Sequence, residues 1–310
     1  MFRSLLVPLD GSPFGEHALP IARQIALQAH ATLHLVHVHV PIVFVSIGDV
    51  SLGGVPITDI RMDNEYRERE RVYLEAVRTR LTSDADLTVD CEIVDGPVSG
   101  AITQYAARIG ADLVVMTTHG RGGLTRFWLG STADAFIRHS PIPTLLVRPH
   151  EALPDLDQSY DLRRILIPLD GSALAEQILD LALTLGGLSN AAYDLLQVIE
   201  TVRVGGWAPG VNLATVEREV AESRYEQAQQ YLADVVERLQ ARDVTAQPHV
   251  ICAEQTASAI LDYAQRHNAD AIALATHGWG GLKRVVLGSV SDKVLRGTVC
   301  PVLLYRPREP

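Results

Sequence analysis

Leu9-Asp10-Gly11-Ser12 returns as Leu169-Asp170-Gly171-Ser172. Thr118-His119-Gly120, nine residues and Gly130-Ser131 return as Thr276-His277-Gly278, nine residues and Gly288-Ser289. The offset is 160 for the first motif and 158 for the second, so the halves align almost without gaps. Solenoid repeats run to roughly 20–50 residues. A period this long means one domain present twice, each copy large enough to bury its own core. The expected division is a first domain over 1–150, a linker over 151–161 and a second domain over 162–310. The linker carries a proline and several acidic residues.

Within each half the pattern alternates short apolar runs with stretches of helical spacing. Leu5–Leu9 is a continuous apolar run of the kind buried on both faces of a sheet. A helix is expected from about Gly15 to Ala29, then strands at Ala31–Val40, Leu87–Val94, Asp112–Thr117 and Thr144–Val147. The intervening helices are expected at Glu65–Leu81, Ser99–Ile109 and Ser131–His139. Pro41–Asn64 reads as a loop or excursion. The second half repeats the order, with strands near Ile165–Leu169, Ala192–Ile199, Val244–Ile251, Ala271–Ala275 and Val302–Tyr305. Alternation of this kind needs helical crossovers between parallel strands. The fold class expected is therefore α/β: two tandem doubly wound domains, each a five-stranded parallel sheet flanked by helices. Ligands of such sheets bind beyond the strands' carboxyl ends, where the strand order switches.

Net charge is −10, which argues against nucleic acid as the main ligand, since that binding rests on clustered Lys and Arg. No run of about 18 apolar residues and no leader pattern is present, so neither a membrane span nor export is expected. Cys91, Cys252 and Cys300 form no CxxC and read as buried thiols in a reducing compartment. The expected location is the cytoplasm.

The glycine turn carries the chemistry. A helix opening at Gly130-Ser131 or Gly288-Ser289 presents unpaired N–H groups suited to phosphate. Glycine lets the backbone approach the anion, and the Ser131 and Ser289 hydroxyls can cap the helix or donate to a phosphate oxygen. The plainer reading is a turn glycine and an N-cap serine; two copies at one spacing weigh against it. No GxxxxGK[ST] or GxGxxG is present. Arg126 and Arg284 lie inside the loops, either as solvated cations or as phosphate partners. Asp10 and Asp170 follow the first strand of each half. A carboxylate there can hold a ribose hydroxyl or a Mg²⁺ that also binds phosphate, or it can simply shape an Asp turn. His119 and His277 lack a partnered nucleophile and read as loop packing. His37 and His39 share a strand face but at best form a weak metal pair, with no carboxylate or cysteine to complete it. The charged stretch near Arg67–Arg71 reads as a solvated helix face.

At these residues the chain resembles the universal stress protein family in its tandem, UspA-like form, and the resemblance covers nearly all of both halves. The family's nucleotide-binding members carry G-2x-G-9x-G-[S/T]. Gly120, Gly130 and Ser131, and again Gly278, Gly288 and Ser289, match the later positions; Thr117 and Ala275 replace the first glycine. The resemblance implies an adenine-nucleotide-hydrolase-like fold and a nucleotide site made of Pro8, Asp10, Val38, Thr117, His119, Gly120, Arg121, Gly130, Ser131 and Thr132. The second site would be Pro168, Asp170, Val198, Ala275, His277, Gly278, Gly288, Ser289 and Val290. Adenine would be held by backbone groups at Val38 and Val198, and Asp10 and Asp170 would contact the nucleotide or its metal. ATP and Mg²⁺ are the implied cofactors. The implied role is a nucleotide-dependent stress-response regulator, with at most weak ATPase activity. A slow ATP hydrolase and a scaffold that binds no nucleotide remain alternatives. The resemblance further implies pairing through the last strands, Thr144–Val147 with Val302–Tyr305, and a homodimer of tandem chains. Covering an apolar edge strand gives that pairing a physical reason. The loops Pro41–Asp63 and Val202–Leu213 would cover the crevices or build the contact between chains.

Overall fold

The computed structural model describes residues 1–41, 43–45, 56–58, 60–83, 86–118, 129–150, 152–156, 160–201, 213–276 and 287–307. In chain order the first half gives β1 (Ser4–Leu9), a 3₁₀ turn (Gly15–Ala18), α1 (Leu19–Ala29), β2 (Thr32–His39), β3 (Val43–Val45), β4 (Pro56–Thr58), α2 (Ile60–Thr82), β5 (Val89–Asp95), α3 (Val98–Arg108), β6 (Leu113–Thr117), α4 (Ser131–His139) and β7 (Thr144–Val147). The second gives β8 (Arg164–Pro168), α5 (Ala173–Glu176), α6 (Ile178–Gly187), β9 (Ala192–Glu200), α7 (Leu213–Gln240), β10 (Ala246–Ala253), α8 (Thr256–Arg266), β11 (Ala271–Ala275), α9 (Ser289–Gly297) and β12 (Val302–Tyr305). The alternating α/β pattern is the one the sequence predicts. The bounds move where local chemistry differs from periodicity. The expected helix from Gly15 starts as 3₁₀ and becomes α only at Leu19, with Pro20 in its first turn, where a missing N–H costs nothing. The helix expected from Glu65 begins at Ile60, and the segment before it contains the antiparallel pair β3–β4.

The chain divides into two compact units, and Ile137–Arg148, with β7, belongs to the second. In the first unit the strands lie in the order β6-β1-β2-β5, all parallel. In the second they lie β10-β9-β8-β11-β12-β7, with β7 antiparallel to β12 and the others parallel. Leu145 stands opposite Leu303 in that antiparallel pair, so the last strands of the two halves pair as the resemblance implies. Linker residues 152–156 lie along the first unit: the Ala152 carbonyl is 2.9 Å from His17 Nε2, and Leu156 accepts from Arg23.

The central strands are apolar on both faces: Leu5, Leu6 and Val7 in β1 and Ile165, Leu166 and Ile167 in β8 are wholly buried. Strands of this composition hold only under helices on both sides. Among the described residues no helix is long and apolar enough to cross a membrane. The three thiols are free. Cys252, expected inside, is exposed on β10, the outer strand of its sheet; alternation along an edge strand turns every second residue outward.

Candidate nucleotide crevices

In each unit the chain leaves the first strand in one direction and returns on its other side, so the order switches between β1 and β6, and between β8 and β11. The pairing there is short. β1 meets β6 only at Leu5–Leu113 and Leu6–Val114, whereas it meets β2 from Ser4 to Leu9. Likewise β8 meets β11 only at Ile165–Ala271 and Leu166–Ile272. Proline explains the gap. Leu169 donates its N–H to Leu196 of β9 at 2.8 Å, and successive residues of a strand face opposite neighbours. Pro168 therefore faces β11, without an N–H to offer. Pro8 holds the same register against β2. In both units the strands part where the donor is missing, which marks the candidate crevice.

The same alternation places Val198. Leu196 accepts from the β8 side, so the main chain of Val198, two residues on, faces that side beyond Pro168, the last β8 residue in the pairing. Val38 stands two residues beyond Val36 in the matching register. Both valines are half-buried, and their backbones border the crevices.

The Asp turns form one wall. Asp10 Oδ1 accepts from the Ser12 N–H at 3.0 Å and from the Ser12 hydroxyl at 2.7 Å, and Ser12 Oγ accepts from Gly15 N–H at 3.2 Å. Gly11 sits at φ 77°, a conformation glycine adopts without strain. A Cβ on Gly15 would stand 2.6 Å from Asp10 Oδ1, so glycine there makes room for the carboxylate. In the second unit Asp170 Oδ1 accepts from Ser172 N–H at 2.9 Å, Gly171 has φ 84°, and Ser172 caps α5 by accepting from Ala175 N–H at 3.0 Å. One oxygen of each Asp thus shapes its own turn, as the plainer sequence reading holds. Asp170 is exposed and Asp10 half-buried.

The glycine helix starts form the other wall. Gly130 N–H donates to the Thr118 carbonyl at 2.7 Å, and Gly288 N–H to the Thr276 carbonyl at 2.9 Å. Helix bonding begins at once: Asp134 donates to Gly130 O and Asp292 to Gly288 O, both at 2.9 Å. Gly288 is the N-cap of α9 and has no side chain to cover the first-turn N–H groups. A Cβ on Gly288 would lie 2.8 Å from Thr276 O, too close for any other residue without a backbone shift. Ser131 and Ser289 are exposed, Thr132 and Val290 half-buried. Thr117 is buried, and the carbonyl of Ala275 accepts from Ser291 Oγ at 3.1 Å. His119, Gly120, Arg121, Arg126, His277, Gly278 and Arg284 lie outside the described residues, as do most of Pro41–Asp63 and Val202–Leu213.

Three residues in each unit escaped the sequence reading. Arg80 pairs with Glu16 at 2.6 Å and Arg238 with Glu176 at 2.8 Å. Tyr73 stands beside Glu16 and Asp10, and Tyr231 beside Glu176 and Asp170; burial first, then those carboxylates, push both phenols up. Both hydroxyls are shut off from solvent and stand against the Glu16 and Glu176 carboxylates. The signal was the repeat itself: Glu16 recurs at 160, Tyr73 and Arg80 at 158.

His39 meets two carboxylates: Glu70, from the stretch read as a solvated face, and Asp63, from the segment expected as a loop, turn inward onto it. No group of three or more His, Cys, Asp and Glu among the described residues could hold a metal ion.

The sequence profile of the universal stress protein family matches residues 1–148 and again 161–306. A universal stress protein of Mycolicibacterium smegmatis is 28% identical over 309 residues, 98% of this chain and 97% of its own length. One of Mycobacterium tuberculosis is 26% identical over 250 residues, 79% of this chain and 78% of its own. Among solved structures, a universal stress protein of Archaeoglobus fulgidus superimposes with a TM-score of 0.66 at 17% identity, covering 98% of each chain.

Proposed function

The chain belongs to the universal stress protein family, and from that premise we propose that it binds ATP in both crevices and acts as a nucleotide-dependent regulator. The observation that carries this reading is the pairing, in both units, of strands that part at a proline with a glycine helix start; in the second unit no side chain caps that start. Such N–H groups suit phosphate, and the contact between Gly288 and Thr276 O leaves room for backbone only. The main chains of Val38 and Val198 would meet adenine, and Asp10 and Asp170 the ribose or a Mg²⁺. A lone carboxylate with nucleotide oxygens is an ordinary Mg²⁺ environment; the ion would neutralise phosphate charge. Occupancy would act by binding one conformational state better than another. A homodimer of tandem chains in the cytoplasm completes the proposal.

Mass spectrometry of small molecules released on denaturation, with equilibrium dialysis against ATP and Mg²⁺, tests it. Adenine nucleotide is expected in the released fraction. The double variant Gly130→Val with Gly288→Val is expected to weaken uptake by about tenfold or more, because a Cβ at Gly288 would press on the Thr276 carbonyl and shift the helix start whose N–H groups would hold the anion. Steady ATP turnover by the pure protein would make it a hydrolase, and no uptake at all would leave a scaffold.

A further inference from the structure

The first unit carries a buried charge cluster beside its crevice. His39, 1% exposed, closes β2. Its Nδ1 lies 2.8 Å from Glu70 Oε2 and its Nε2 3.0 Å from Asp63 Oδ1. Arg67 extends the cluster by binding both Asp63 and Asp95, and His37 Nε2 lies 3.4 Å from Glu70 Oε1. The charged and titratable groups facing His39 are thus Asp63, Arg67 and Glu70 from α2, Asp95 from β5 and His37 from β2 itself. A neutral imidazole has one N–H and one lone pair. It could donate to one carboxylate only, and the lone pair would confront the other. Two carboxylates at bonding distance call for the imidazolium, whose N–H groups both donate. Burial opposes that charge, but the bonds to Asp63 and Glu70 outweigh it and raise the pKa of His39. In return the bond from His39 holds the Asp63 carboxyl below its ordinary value.

We propose that His39 is a proton-dependent clamp that fastens the amino-terminal half of α2 to the carboxyl end of β2, and that the second unit has no counterpart. The repeat replaces His37, His39, Asp63, Arg67, Glu70 and Asp95 by Gln197, Ile199, Ala221, Tyr225, Ala228 and Ala253. Ile199 and Ala228 are buried, so the hold on α7 is apolar and does not titrate. A raised histidine contributes fully below its unfolded value of about 6.5, and the contribution is lost as pH rises through the folded value. The clamp therefore opens on the alkaline side. Val38 is the residue before His39, so opening also loosens the strand end offered to adenine. That consequence, unlike the clamp, rests on the nucleotide reading.

Hydrogen exchange on the full chain, corrected for the intrinsic rate, reads the clamp without nucleotide. Between about pH 6 and pH 9, amide protection over 60–70 should fall by about tenfold, while that over 218–228 changes by less than about twofold. His39→Gln should lower protection over 60–70 and make it independent of pH. Proton–carbon NMR of the imidazole should place the His39 midpoint above about 6.5, and Glu70→Gln should lower it. A midpoint at or below that value, an equal pH response in α2 and α7, or an unaltered midpoint in Glu70→Gln would overturn the clamp. Should His39→Gln fail to fold, the wild-type titration and Glu70→Gln decide the matter. Failure to bind ATP at any pH would remove the consequence for adenine and leave the clamp standing.

Discussion

Asp10 and Asp170 stand in the same turn, yet the strands beside them are held down by different chemistry. In the first unit β2 meets α2 through His39, Asp63 and Glu70 at the carboxyl end. In the second unit the matching contact is apolar, and buried charge sits near the amino end of β9 instead. Asp194, 1% exposed, is bound there by Arg164 at 3.0 and 3.3 Å. The first unit has His34 and Ser4 at those positions. The crevice itself varies less: both copies keep the proline, the Asp turn, the glycine helix start and the Tyr–Glu–Arg set. A layered α/β core accepts charge at either end of a strand provided each charge is paired. The backbone geometry at the switch point has no such freedom, because it depends on a missing N–H and a missing Cβ.

The largest effect should come inside the second unit, where β7 pairs with β12. Leu145 and Leu303 face each other across β7 and β12, both wholly buried. Leu145→Ala and Leu303→Ala should each cost about 3 kcal/mol, the usual range for a leucine cavity. Chemical denaturation measures both, and costs that differ by more than about 1 kcal/mol would mean that the two strands do not play equal parts. Next comes Arg164→Met, which strands the Asp194 carboxylate. Breaking a fully buried pair costs about 3–5 kcal/mol. The Arg164 side chain is 37% exposed, so screening lowers the expectation to about 2 kcal/mol. Ser4→Ala, at the matching position, should cost well under about 1 kcal/mol, and equal losses would erase the contrast between the units.

The order of elements along the chain, the helical crossovers and the turns at Asp10 and Asp170 could be read from alternation and from the repeat, because strand pattern and glycine follow local rules. The buried clusters could not. Asp63, Arg67 and Glu70 lie on a helix of mixed charge, where sequence cannot say which side faces the sheet. Only the structure brings that side onto a histidine 31 residues before Glu70 and 24 before Asp63. Tyr73 and Tyr231 were legible in principle, as twins at the offset of the glycine motif, but a tyrosine on a helix gives no local sign of what its hydroxyl meets.

A smaller effect separates the units by pH. Burial lowers the pKa of His249 in the second unit and of His34 in the first, against the pull of Asp194 and Asp90. A histidine held neutral in the fold contributes fully above about 6.5 and loses that contribution as pH falls below it. Acid should therefore weaken both units, whereas a rise to about pH 8, short of the range where the buried thiols and phenols titrate, should weaken only the first, through His39. His249→Gln should flatten the acid limb over the second unit in hydrogen exchange and leave the first unchanged. A surviving acid limb there would move its origin to another group.

The smallest expected change lies at the tyrosines. Their hydroxyls are buried against the Glu16 and Glu176 carboxylates, so Tyr73→Phe and Tyr231→Phe remove a desolvated group together with one weak polar contact. Thermal unfolding without ligand should shift by less than about 0.5 kcal/mol in either direction, since the lost contact with the carboxylate and the relieved desolvation offset each other. Both variants should behave alike, because each phenol faces the same Asp and Glu. The same pair can then be titrated with ATP. If a phenol donates to bound nucleotide, the matching variant loses about threefold to tenfold in affinity, the worth of one hydrogen bond, with stability unchanged. A loss in one unit only would show that the two crevices, alike in backbone, seat their ligand differently.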